Sequence, residues 1–161
     1  MKGAVVYDSV YGNTRLVAEA IAEQIRASGH EAEVISLKEG GAKEVRADFM
    51  FVGGPTRMKK MTRSVKRFVK KLDRTYWNSR TVFAYDTYGP LGKTEEEKRK
   101  GAKWLVPGAV GSIQTLGNKM GLKMSPKTLR CAVTDLKGPL EPNALDSARA
   151  FTREALESLD K

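Results

Sequence analysis

A single cysteine, Cys131, cannot build a disulfide framework or a zinc cluster within the chain. The single histidine, His30, falls between a helix stop and a strand, where a surface turn residue is expected. No run of 18 apolar residues occurs, so no transmembrane helix is expected. The opening MKGAVVYDS reaches Asp8 too early to resemble a signal peptide. These absences predict a soluble, cytoplasmic protein. Acidic residues are in deficit, with 19 against 29 basic ones and a net charge of +10. The excess is concentrated, because nine Lys or Arg and one acid, Asp73, lie between Arg57 and Arg74. Such a surface attracts anions, whether acidic proteins, phosphorylated ligands, lipid headgroups or nucleic acid. The polar face of that segment has no aromatic residues on which bases could stack, which makes nucleic acid an unlikely partner.

What is present is regular. The 161 residues are 40% hydrophobic, enough for one domain over 1–161 with a sizeable core. Apolar runs predict strands at Gly3–Tyr7, Glu31–Leu37, Asp48–Val52, Thr81–Tyr85 and Leu129–Val133. Helical spacing places Val17, Ala18, Ile21, Ala22 and Ile25 on one face of a helix from Asn13 to Ser28. Met61, Val65, Phe68, Val69 and Leu72 make a second stripe, covered by Lys60, Arg63, Lys66, Arg67, Lys70 and Lys71. Lys93–Lys103 is charged, with i,i+4 partners Glu95–Arg99 and Glu96–Lys100. Gly108–Met120 reads as a helix weakened by Gly111 and Gly117. A last helix buries Leu145, Ala148, Phe151, Ala155, Leu156 and Leu159, with Pro142 near its start. Glu39–Arg46 has no clear period and reads as loop or short helix. This alternation predicts an α/β fold with a parallel sheet and helices on both faces.

In such sheets ligands bind beyond the carboxyl ends of the strands. Three segments fall there: Ser9–Thr14, Gly54–Lys60 and Asp86–Gly89. In the first, Gly12 lets the backbone approach a ligand, a helix begins near Asn13, and Ser9 and Thr14 carry hydroxyls. The turn has no G-x-G-x-x-G or G-x-x-x-x-G-K-[ST] pattern, so it is neither a dinucleotide fingerprint nor a P-loop. From the residues alone, a phosphate cradle and a plain strand-to-helix turn capped by Asn13 or Ser9 both remain open.

Three motifs carry a resemblance. SVYGNT after VVYD resembles the phosphate loop of flavodoxin-like flavoproteins, and Tyr11 before Gly12 is similar to the flavodoxin modules of A-type flavoproteins. FVGGPTRMKKM resembles the second flavin loop of that group, with Gly54 where Ser is common. AYDTYGP resembles the third. The resemblance implies a flavodoxin-like doubly wound sheet of five parallel strands, order 2-1-3-4-5, and non-covalent FMN. Ser9, Val10, Tyr11, Gly12, Asn13 and Thr14 would hold its phosphate. Pro55, Thr56, Arg57, Met58 and Lys59 would border the ring on one side, and Asp86, Thr87, Tyr88 and Gly89 on the other. Tyr88 would pack on the flavin, with Trp104 as the alternative. Trp77 reads as a packing residue and Cys131 as a core thiol.

Asp86 departs from the small residue common in relatives. Its carboxylate would disfavour an anionic reduced flavin unless it turned away to cap its own turn, whereas Arg57, Lys59 and Lys60 would favour one. The resemblance implies an electron-transfer flavoprotein with no catalytic acid or base, either monomeric or weakly dimeric. Its redox partner would present an acidic face to the Lys60–Arg74 helix. The alternatives are an NAD(P)H-dependent FMN or quinone reductase of the same fold, or a binding protein of this fold that has lost FMN.

Overall fold

The computed structural model describes residues 1–39, 44–90 and 92–160. Its elements run β1 (Lys2–Tyr7), α1 (Asn13–Ala27), β2 (Glu31–Ser36), β3 (Phe49–Pro55), α2 (Arg63–Lys70), α3 (Arg74–Trp77), β4 (Val82–Tyr88), α4 (Glu95–Ala102), α5 (Gly108–Lys119), β5 (Met124–Ala132) and α6 (Ala144–Leu159). The five strands form one sheet in the order β2-β1-β3-β4-β5, and every pairing is parallel. This is the predicted flavodoxin-like topology.

Successive strand residues point to opposite faces. Val5, Phe49, Phe51, Phe83 and Tyr85 therefore meet α1 and α6, while Ala4, Val6, Met50, Val52, Val82 and Ala84 meet α2, α5 and Trp77. The α1 stripe from Val17 to Ile25 is buried as predicted. In α6, Ala148, Ala155 and Leu156 are buried, and Leu145, Phe151 and Leu159 pack at the edge of the same cluster. Phe51 and Phe83 stack with centroids 4.8 Å apart, and the ring of Phe151 meets both edge-on.

Several boundaries differ from those read in the sequence. The Met61 stripe is not one helix. Thr62 caps α2, whose Val65 N–H it accepts, and Asp73 then caps α3 and brings Trp77 into the core. Strand β4 continues through Tyr88, where a loop was predicted, because Asp86 and Thr87 have buried polar partners. Strand β5 starts at Met124, earlier than its apolar pattern suggests. It is an edge strand, the position in a sheet where Pro126 is tolerated. Helix α4 buries nothing and is held by a Thr94–Glu97 capping box. Within it Glu96 pairs with Lys100 as expected, but Glu95 pairs with Lys98, not Arg99. Residues 40–43 of the weak segment lie outside the described residues. Among the described residues no helix is long and apolar enough to cross a membrane.

Cys131 lies buried in β5. Burial, with a smaller push from Asp86, raises its thiol pKa to about 12. At pH 8 it is therefore protonated as well as enclosed. In the folded protein iodoacetamide should leave it unmodified over hours, and unfolding in guanidinium should expose it within minutes. Mass spectrometry of the two samples distinguishes them, and rapid native labelling would contradict the burial.

Candidate functional site

The carboxyl ends of β1, β3 and β4 open into one hollow. Its lining includes Val10, Tyr11, Asn13, Thr14, Pro55, Thr56, Arg57, Thr87, Tyr88 and Gly89, together with Val133 and Leu136. Ten of the fifteen residues singled out in the sequence thus converge there. Of the other five, Ser9 accepts the Gly12 N–H at 3.0 Å and shapes the first loop from behind. Gly12 stands at φ 93°, a conformation open to glycine, and an added Cβ would meet nothing within 4 Å. Met58 and Lys59 lie beyond the rim, and Asp86 lies beneath the floor.

The first loop leaves its helix start open. No side chain caps α1, so the Ser9 or Asn13 cap of the plain-turn alternative is absent. The N–H groups of Asn13, Thr14 and Arg15 have no acceptor among the described residues. Free N–H groups at the start of a helix carry its positive dipole end. Thr14 is buried, and its hydroxyl shares a hydrogen bond of 2.8 Å with that of Thr87, which joins the first loop to the third. Asn13 instead donates to the Lys137 carbonyl at 3.2 Å, tying down the segment after β5. Arg57 reaches over Tyr11, 5.5 Å from the ring centroid, and Lys137 lies 5.8 Å from the same centroid.

Below the floor lies a buried polar knot. Asp86 is fully buried and takes a forked ion pair from Arg130, with Nε 2.9 Å from Oδ1 and Nη2 3.0 Å from Oδ2. The Thr56 hydroxyl donates to Oδ2 at 2.8 Å and accepts the Ala109 N–H at 2.8 Å. The Val110 N–H also points at Oδ2, from 3.3 Å. Asp86 therefore neither caps its own turn nor faces the hollow as a bare charge. Arg130 and the first turn of α5 offset it. The Arg130 guanidinium also covers one face of Tyr88, 4.3 Å from the ring centroid. Arg57 is the cation left in the lining, while Lys59 turns toward Trp104, 5.1 Å from its ring centroid. Trp104 is half exposed and stands outside the lining, whereas Tyr88 is part of it.

Sequence reading missed Arg130, Val133, Leu136 and Lys137. A signal existed for Arg130. It interrupts the apolar run Leu129–Val133 on a face that should enter the core, and β4 carries the equally misplaced Asp86 in register beside it. Val133 closes that apolar run and was read only as strand, while Leu136 and Lys137 lie past the end of β5, where no pattern marks them.

A five-stranded parallel sheet with an uncapped helix N-terminus, paired threonines and an aromatic at its carboxyl rim defines an α/β protein with hydrogen-bond donors gathered over the strand ends. Residues 4–118 match the flavodoxin domain, and the chain belongs to that family. Membership implies a flavin as cofactor. No curated protein matches the chain in sequence. Among solved structures, a flavodoxin from the domain Archaea aligns over 100% of both chains at 22% identity, with a TM-score of 0.74. Flavodoxin 2 of Bacillus cereus aligns over 98% of this chain and 99% of its own, at 17% identity and a TM-score of 0.71. The rubredoxin oxygen:oxidoreductase of Desulfovibrio gigas covers 98% of this chain at 17% identity and a TM-score of 0.69. The chain spans 36% of that larger protein. At these identities the likenesses establish the fold.

Proposed function

We propose that the protein is an electron carrier that works through non-covalent FMN. The observation that carries this is the uncapped start of α1, where N–H groups without acceptors follow the Gly12 turn beside the hollow. A phosphate fits there without a Lys or Arg in the loop, because neutral N–H and hydroxyl donors suffice at a helix N-terminus. Ser9 to Thr14 would hold that phosphate. Pro55, Thr56 and Arg57 would border the ring on one side, and Thr87, Tyr88 and Gly89 on the other. FMN supplies the redox chemistry when bound. The chain's own part is to fix the ring between two loops, keep Tyr88 upright against Arg130, and place one cation, Arg57, beside the ring. No side chain of the lining is arranged as a nucleophile and base, and no proton-transfer step is assigned to the protein.

Its redox partner should be acidic, because the nine cations from Arg57 to Arg74 have no carboxylate partner among the described residues. Protein purified without added flavin should be yellow, with absorbance bands at about 370 and 450 nm. Protein stripped of flavin should regain them on addition of FMN and not of riboflavin, since riboflavin lacks the phosphate that the first loop addresses. A colourless protein that ignores FMN rejects this reading. Steady oxidation of NADPH with no partner present would replace it with a reductase.

A further inference from the structure

Two neighbouring residues without glycine's freedom hold a left-handed backbone: Met58 at φ 48° and Lys59 at φ 72°. They are the central pair of a two-residue turn closed by Arg57 N–H to the Lys60 carbonyl at 2.8 Å and Lys60 N–H to the Arg57 carbonyl at 2.9 Å. Turns that need positive φ at both central positions strongly favour Asn-Gly. Met and Lys here are costly choices, and backbone strain of this kind gathers where a segment is used. Its effect is to hold Met58 out in solvent, 80% exposed, directly beside the hollow. The turn is fixed from below, because the Gly108 N–H donates to the Lys59 carbonyl at 2.9 Å.

The turn does not project alone. Trp104 and Val106 are 50% and 63% exposed on the segment that leads into Gly108. Lys59 and Lys103 flank the Trp104 ring at 5.1 and 5.7 Å. Beside this patch α2 begins at the rim, since its cap Thr62 donates to Asp8 at the end of β1, and then runs down the flank with Arg63, Lys66, Arg67 and Lys70. An aromatic and a methionine surrounded by cations have the composition of an interface anchor with a charged rim.

We infer that the Met58–Lys59 turn and Trp104 form the anchor on which an acidic redox protein seats, while the cations of α2 steer its approach. The inference rests on the electron-carrier reading above. The charge pattern favours a protein over an anionic membrane. The other flank of the opening presents Glu97, Asp135 and Glu141 beside Lys93 and Lys98, so the cationic excess is confined to the Met58 side and a lipid surface laid across the whole rim would meet no such excess there. A protein centred on Met58 and Trp104 need not cover them.

The test uses the FMN-loaded protein and a plant-type [2Fe–2S] ferredoxin as an acidic redox probe. Met58→Asn keeps every charge, and Asn accepts positive φ more readily than Met. It should raise the Tm by about 2–4 °C. It should also weaken ferredoxin binding about tenfold, mainly through faster dissociation. Lys66→Ala with Lys70→Ala should slow association and flatten its salt dependence while leaving dissociation unchanged. A gain in stability together with a loss of affinity is not what a purely structural turn would give. Unchanged affinity in Met58→Asn overturns the inference. So does absence of ferredoxin binding at low salt, or binding to phosphatidylglycerol vesicles in its place. The visible spectrum before titration keeps two failures apart: a colourless protein rejects the flavin reading, and a yellow one with Met58→Asn unaffected rejects the docking anchor alone.

Discussion

Asp86→Ala should lower the free energy of unfolding by about 3 kcal/mol, because it leaves a largely covered guanidinium without its counter-charge. Arg130 is 27% exposed at its side chain and Asp86 not at all, so water can reach only one edge of the pair. The substitution also strips the Thr56 hydroxyl and the Val110 N–H of the oxygen they share. These losses fall on the Thr56 end of β3 and on the start of α5, both of which shape the hollow. Flavin affinity should therefore fall with stability. Adding Arg130→Met should recover part of the stability, since it removes the unpaired charge while the Thr56 hydroxyl and the Val110 N–H stay without their acceptor. The double variant should not recover the ring site, because Tyr88 would lack the cation on its face. Urea unfolding of the two single variants and the double gives the coupling directly. A double variant as unstable as Asp86→Ala would show that Asp86 acts through the N–H groups of α5 and not through Arg130.

The strands were legible because each carries its own apolar run, and the stripes of α1 and α6 repeat at the helical period, whereas the order 2-1-3-4-5 was implied by the resemblance of the three loop motifs. The same logic failed where polar residues are buried in pairs. Asp86 and Thr87 read as loop residues since each alone would be costly in a strand. In the structure Arg130 and Thr14, distant in sequence, satisfy them. No pattern along one segment can show a partner 44 residues away. The early start of β5 was hidden for a related reason: Pro126 and its lysine neighbours suit an edge and break the rule for a centre.

The site divides in the same way. Loops at the ends of apolar strands are visible in sequence, and ten of their residues line the hollow. Whether a side chain turns inward is a matter of backbone sign and register, which residue type does not announce. Met58 and Lys59 belong to a loop with the right composition and leave the lining because two successive positive φ values turn them outward. Val133 and Leu136 enter it because β5 ends beside β4, a fact of topology alone.

The second large effect is expected at Gly53, where Ala should cost about 3 kcal/mol, the upper range for overpacking a buried site. An added Cβ would lie against the Tyr85 carbonyl oxygen and 2.6 Å from two carbons of its ring. That ring cannot swing aside freely, since its hydroxyl donates to the Val6 carbonyl at 2.9 Å inside the core. Gly53 also accepts the Asp8 N–H at 3.1 Å, so a shift of β3 there would be passed to the first loop. Gly54, one residue on, makes the control. Its added Cβ would stand 3.0 Å from a Val65 methyl and 3.6 Å from the Asp8 Cβ, contacts that a small adjustment accommodates. Asp8 is buried with Oδ2 accepting the Thr62 hydroxyl at 2.6 Å and Oδ1 without a partner. Gly54→Ser, the residue common at this place in the resembling loops, would bring a hydroxyl toward that lone oxygen. A hydrogen bond to a buried carboxylate, less the adjustment of Val65, should stabilise the protein by about 1 kcal/mol. Denaturant midpoints should therefore move in opposite directions for the two neighbouring glycines. A loss for Gly54→Ser as large as that for Gly53→Ala would mean that Val65 cannot yield and that Asp8 is out of reach.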